Sequence, residues 1–233
     1  MRIPSHPWGP GEHARYRDRD LFLAGLAMQS IYRSKEGDHN LNVWEMLCRE
    51  VYEPIGVLYM HGNATTDGVP LTAWGAYPNV DDMVKIAGLV QRLGVTLDGE
   101  QKLLSEEVLR EALYETGEGV VGLPTGASGT NPETKSIPKS YHLTLWHEPY
   151  VSSSSGGGGG GGRRCLYSCP QMHGYGGNTV LMSPSGVIGF RVGTAGHPHG
   201  VEAMCAIADT LRPFDIHARV GGRQVAAEER PRL

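Results

Sequence analysis

The sequence predicts an α+β fold: a helical block, then an antiparallel sheet, then a terminal helix. Three observations carry this. Apolar residues recur at helical spacing between residues 19 and 117. A turn-rich stretch with a serine–glycine run follows over 118–164. Beyond it, "NTVLMS" and "VIGFRVG" flank a Pro-Ser-Gly turn, and a last amphipathic segment comes before Pro213.

The opening "PSHPWGPGEH" is loop, because proline and glycine punctuate it. "RDLFLAGLAMQSIY" then puts Leu21, Gly25, Met28 and Tyr32 on one helical face, with Leu23 and Ala27 widening it. "NVWEMLCREVY" repeats the pattern with Val43, Met46, Leu47 and Val51, and Pro54 disfavours helix in the residue before it. In "NVDDMVKIAGLVQRL", Asn79 is placed to cap a helix whose first turn carries two aspartates, favourable at the positive end of the helix dipole. Its inward face is Met83, Ile86, Ala87, Val90 and Leu93, and Gly94 ends it. An Asp-Gly turn leads to Ser105, which caps "EEVLREALYE".

Residues 118–164 read as loop-rich, with "GLPTGASGTNP" and the Ser/Gly run at 152–162 as exposed loop. That run is no phosphate cradle, since no strand precedes it and no Gly-Lys-Ser/Thr closes it. Residues 165–214 supply the hairpin and terminal helix, and 215–233 a tail. The whole of 1–233 is expected to form a single partial domain.

The formal net charge of −4 argues against a nucleic-acid or anionic-membrane partner held by electrostatics. No apolar run approaches the roughly 18 residues a membrane span needs, and "MRIPSHPWGPGEH" has no leader-like apolar core. A cytoplasmic location is the expectation. The cysteines are Cys48, Cys165, Cys169 and Cys205. The C-x3-C pair has no second close Cys or His pair, so the cysteines read as reduced and structural, and no metal is expected.

Three segments, in order, resemble the serine hydrolase family of class C β-lactamases, D-alanyl-D-alanine peptidases and related esterases. "PGEHARYRDRDLFLAGLAM" is similar to the family's Pro-Gly-x4-Tyr-x-Asn before an apolar helix, with Pro10, Gly11 and Tyr16 in register and Asp18 at the usual Asn. "REVYEPIGV" through "LTAWGAYPNVDDMVKIAGLVQRLGVTLDGEQKLLSEEVL" resembles the family's turn, helix and "DG-x-x-LLS" turn. "MHGYGGNTVLMSPSGVIGFRVG" resembles the hairpin that carries Lys-Thr-Gly or its glycine-rich substitutes. The resemblance implies a β-lactamase/transpeptidase-like fold lacking its N-terminal strands and nucleophile helix. It implies acyl transfer on an ester, amide or β-lactam, without cofactor. As this chain, the protein is expected to be weakly active or inactive. The alternatives are a non-catalytic binding module and a fragment completed by a separate N-terminal half; a homo-oligomer is also open.

By the resemblance Tyr16 relays the nucleophile's proton, a role that needs its pKa of about 10 depressed by cations. Asp18 shares that groove or caps the helix. Met172 to Gly177 forms the rim strand, where His173 stands in for the missing lysine as a cationic or hydrogen-bonding group. Gly174, Tyr175, Gly176 and Gly177 then let an acyl substrate approach the backbone. Ser136-Ile-Pro-Lys139 has the family's nucleophile spacing, but it follows the Tyr segment and Pro138 would break the helix that spacing requires. It reads as a surface loop.

Overall fold

The computed structural model describes residues 9, 11–58, 60–66, 68–114, 123–128, 138–152, 165–193, 200–214 and 223–224. Over these residues the chain is α+β and divides into two compact units, Tyr16–Glu106 and Met1–Arg15 with Glu107–Leu233.

In the first unit, α1 (Asp18–Glu36) ends at Gly37, whose φ of 69° favours glycine. The inward side of α1 follows the spacing at buried Gly25 and half-buried Leu21 and Tyr32, but Met28, Leu23 and Ala27 are exposed and Gln29 is buried instead. The reason is polar. Gln29 donates to the Leu41 carbonyl and accepts from the Val43 N–H at 2.9 Å, satisfying the start of α2 (Val43–Leu47). Gly25 lets Thr72 approach, since a Cβ there would lie 2.2 Å from Thr72 Oγ1.

A π turn (Cys48–Tyr52) and a 3-10 turn (Glu53–Ile55) then unwind the helix around Pro54. A two-stranded ribbon, β1 (His61–Gly62) and β2 (Ala76–Tyr77), precedes α3 (Val80–Gln91). Asn79 and Asp82 complete the capping box of α3: Asn79 Oδ1 accepts from the Asp82 N–H at 2.8 Å, and Asp82 Oδ2 accepts from the Asn79 N–H at 3.2 Å.

The second unit holds α4 (Glu106–Leu113, from residue 107 on) and an antiparallel meander. Its strands, in spatial order, are β3 (Leu123–Ser128), β4 (Pro138–His142), β5 (Leu145–Ser152), β6 (Cys165–Gly174), β7 (Asn178–Met182) and β8 (Ile188–Arg191). A seventh strand, β9 (Arg223–Gln224), pairs with the start of β6 inside the expected tail. The β7–β8 hairpin and the helix α5 (Gly200–Leu211) lie where the sequence puts them.

Residues 118–164 differ from the loop-rich expectation, because β3, β4 and β5 occupy most of their described part. Register explains how so polar a stretch folds. Tyr141 pairs with Trp146, Glu148 with Cys169 and Tyr150 with Tyr167, so polar and aromatic residues share one sheet face. On that face α5 covers Tyr150, Tyr167, Cys169 and Leu181 with Cys205 and Ala208, and Phe214 closes the cluster. Asp209 ties the layers together: Ser152 Oγ donates to its carboxylate at 2.7 Å, Tyr150 Oη at 3.3 Å and the Phe214 N–H at 2.9 Å. On the opposite face, His147 Nε2 donates to the Ala112 carbonyl near the end of α4 at 3.0 Å.

Candidate functional site

The first expected site residues belong to the helical unit. Tyr16 is 38% exposed and hydrogen-bonds Asp18. Burial pushes its phenol pKa up, and Asp18 pushes it further. This corrects the expected depression: the neighbour is a carboxylate and not a cation. A phenol held this way keeps its proton and acts as a donor. The residue before α1 with extended geometry is Arg17, which makes no side-chain cap. Asp18 is therefore the first helical residue, favoured there by the helix dipole, and is not the cap.

His173, Gly174, Gly176 and Gly177 lie in the sheet unit, at the end of β6 and in the 3-10 turn Tyr175–Gly177 that leads into β7. Gly174 pairs with Asn178 and His173 with Thr179. Gly176 and Gly177 have φ of 81° and 83°, so both are required by the turn's backbone. Gly174 carries no such requirement, and a Cβ there would meet Asn178 at an ordinary 3.6 Å. Of Tyr175 only the backbone turn is described.

The imidazole Nδ1 of His173 lies 3.2 Å from Thr179 Oγ1. Desolvation lowers the His173 pKa, and Lys139 and Arg191 lower it further. Near pH 7 the ring is neutral, so of the two expected roles the cationic one is removed and the hydrogen-bonding one is left.

Lys139 belongs to this neighbourhood, which the sequence reading did not foresee. It lies on β4, where an extended backbone replaces the helix that Ser-x-x-Lys needs, and Ser136 falls outside the described residues. Lys139 Nζ stands 2.6 Å from Glu148 Oε2. The Glu148 side chain is 3% exposed; burial pushes its carboxyl pKa up while Lys139 and Gln171 pull it down. Gln171, also buried, gives Glu148 a hydrogen bond, and its own Oε1 has no partner. The signal for this buried row was alternation in "LWHEPYVS", obscured because both faces of β5 are covered.

One serine–histidine contact looks catalytic in outline. Ser168 Oγ is 3.2 Å from His147 Nδ1, and Nε2 is held by the Ala112 carbonyl. The Nε2 contact fixes the tautomer, so Nδ1 accepts from the serine hydroxyl. Yet His147 is 1% exposed, and burial lowers its pKa to about 4. Such an imidazole is a poor proton acceptor at neutral pH, and the pair is a cross-strand structural contact. Among the described residues no group of His, Cys, Asp and Glu could hold a metal, and no helix is long and apolar enough to cross a membrane. In comparison with known proteins, no family model matches the chain, and no curated protein matches it.

Proposed function

We propose that this chain is a C-terminal portion of a β-lactamase-related, penicillin-binding-protein-like serine hydrolase, supplying an acyl-binding rim and no nucleophile. The observation that supports the reading best is the end of β6. There a neutral imidazole, His173, is oriented by Thr179 beside a turn with two left-handed glycines. Such a strand end offers backbone N–H groups and a side-chain donor to a carbonyl oxygen. In the family's chemistry a serine attacks the carbonyl while a Lys/Tyr pair moves the proton. Tyr16 adds no proton relay to this reading, because its raised pKa makes the phenol a weaker acid. The Ser168–His147 pair is no substitute for the missing serine and base, because its imidazole is buried and weakly basic.

The expected activity is therefore reversible binding of acyl compounds. Titrating the labelled protein with a penicillin and with a phosphonate ester, followed by amide NMR, tests this. Saturable shifts at 173–179 that weaken in His173→Ala support the reading. Shifts absent from that turn would remove it.

A second reading, completion by a separate N-terminal half, is favoured by one further observation. Among the described residues β8 pairs with β7 alone, and nearby α5 exposes Ile207 and Leu211. An open edge beside an apolar helix side suits an added strand and helix. Under this reading the acyl compounds bind only after co-expression with the upstream half, which also raises soluble yield.

A further inference from the structure

The outward side of α1 carries an exposed apolar stripe. Leu23 and Ile31 are 55% and 57% exposed, and Asp20, Ala24, Ala27, Ser30 and Ser34 are exposed with them. Steps of three and four residues put these positions on one side of the helix. The buried residues Gly25 and Gln29 flank Ala27 in sequence and lie on the opposite side.

The order of residues along the stripe is symmetric about Ala27. Ala24 and Ser30 stand equally far from it, and both are small. Leu23 and Ile31 come next, both large and apolar; Asp20 and Ser34 end the stripe, both polar. A two-fold axis at Ala27 therefore sets each of these residues against one of its own kind in an antiparallel second copy. The small residues at the centre let the helices approach, and Leu23 packs on Ile31 of the second copy. Charge selects the same direction. The first turn of α1 carries Asp18 and Asp20, and the last turn carries Arg33 and Lys35. An antiparallel pair sets Asp20 beside Lys35 of the second copy, whereas a parallel pair would set like ends together. Arg19, which contacts Asp20 at 3.4 Å, is level with that lysine but lies on the other flank of the stripe.

We infer that α1 is a homodimer surface, on which a second copy of this chain docks its own α1 antiparallel through Leu23, Ala27 and Ile31. One stripe of one helix per copy is at the small end for a specific interface, so the dimer dissociates in the micromolar range.

The test is sedimentation equilibrium of the full chain over a concentration series, with disulfide mapping of introduced cysteines. The expected mass rises from one chain to two and no further. Leu23→Glu, at an exposed position, should keep the helix signal in circular dichroism and weaken association by about tenfold or more. Under mild oxidation Ala27→Cys should link to itself across the axis, whereas Asp20→Cys, far from its counterpart in the second copy, should not. The mass of one chain at every concentration up to about 1 mM would overturn the inference and leave the stripe to another occupant, such as a separate N-terminal half. So would a dimer that Leu23→Glu leaves intact, or self-linking at Asp20→Cys, which marks a parallel pair.

Discussion

The helical unit and the sheet unit satisfy most of their buried polar groups over different distances along the chain, although buried Gln29 in the helical unit reaches 14 residues to Val43. In the helical unit Asn79 and Asp82 cap each other three residues apart, and Thr96 Oγ1 bonds Asp98 in the turn that follows. In the sheet unit Ser152 reaches Asp209, His147 reaches Ala112 and Tyr167 reaches Phe214. The first kind of pairing is local and costs little chain entropy to form. The second is made only when distant strands come into register. Perturbing a buried polar group should therefore cost more in the sheet unit than in the helical one.

The largest effect is expected at Lys139. Lys139→Ala leaves the Glu148 carboxylate buried without its cation, a loss of about 3 kcal/mol in urea unfolding, since Lys139 itself is partly exposed. The double change Lys139→Met with Glu148→Leu should recover most of it, because both charges leave together. A double variant no better than the single one would break the comparison.

Next comes His147. Its folded pKa is near 4 and its unfolded value near 6.5. Between those values the unfolded chain binds a proton that the folded chain refuses. Stability falls as pH drops from 6.5 towards 4, by up to roughly 3 kcal/mol, and is fully present above 6.5. His147→Gln should flatten this slope in a pH series of urea melts; an unchanged slope would assign it to other groups.

A smaller effect of opposite sign is expected in the β4–β5 turn. Leu143 and Thr144 have φ of 41° and 70°, a conformation that suits Asn-Gly. Leu143→Asn with Thr144→Gly should raise stability by about 1 kcal/mol. A destabilised double variant would mean that these side chains are needed where they stand. The helical unit supplies the local counterpart: Asn79→Ala should cost about 1 kcal/mol through loss of the cap, read by urea unfolding.

These contrasts also explain what was legible in the sequence. The cap of α3, the β7–β8 hairpin and α5 could be read because each is written in a short stretch: Asn79 with Asp82, Pro-Ser-Gly between apolar runs, and an apolar repeat ending before Pro213. The strands β4 and β5 were hidden because Leu143-Thr144 is no recognisable turn signal and β5 is buried on both faces. The α1 face was legible at Gly25 but not at Gln29, a polar residue that turns inward to serve α2. At the candidate site the turn glycines were legible, whereas the neutrality of His173 was not. That neutrality comes first from desolvation, and then from Lys139 on β4 and Arg191 on β8, which pairing brings onto the same face.

The central claim is a rim without a nucleophile. Its most direct test is the intact mass of the folded chain after exposure to a fluorophosphonate and, separately, to a penicillin. The account predicts unmodified protein with both probes. A stoichiometric adduct that disappears in Ser136→Ala would contradict it and make Ser-Ile-Pro-Lys a working nucleophile motif; an adduct on any other serine would contradict it equally.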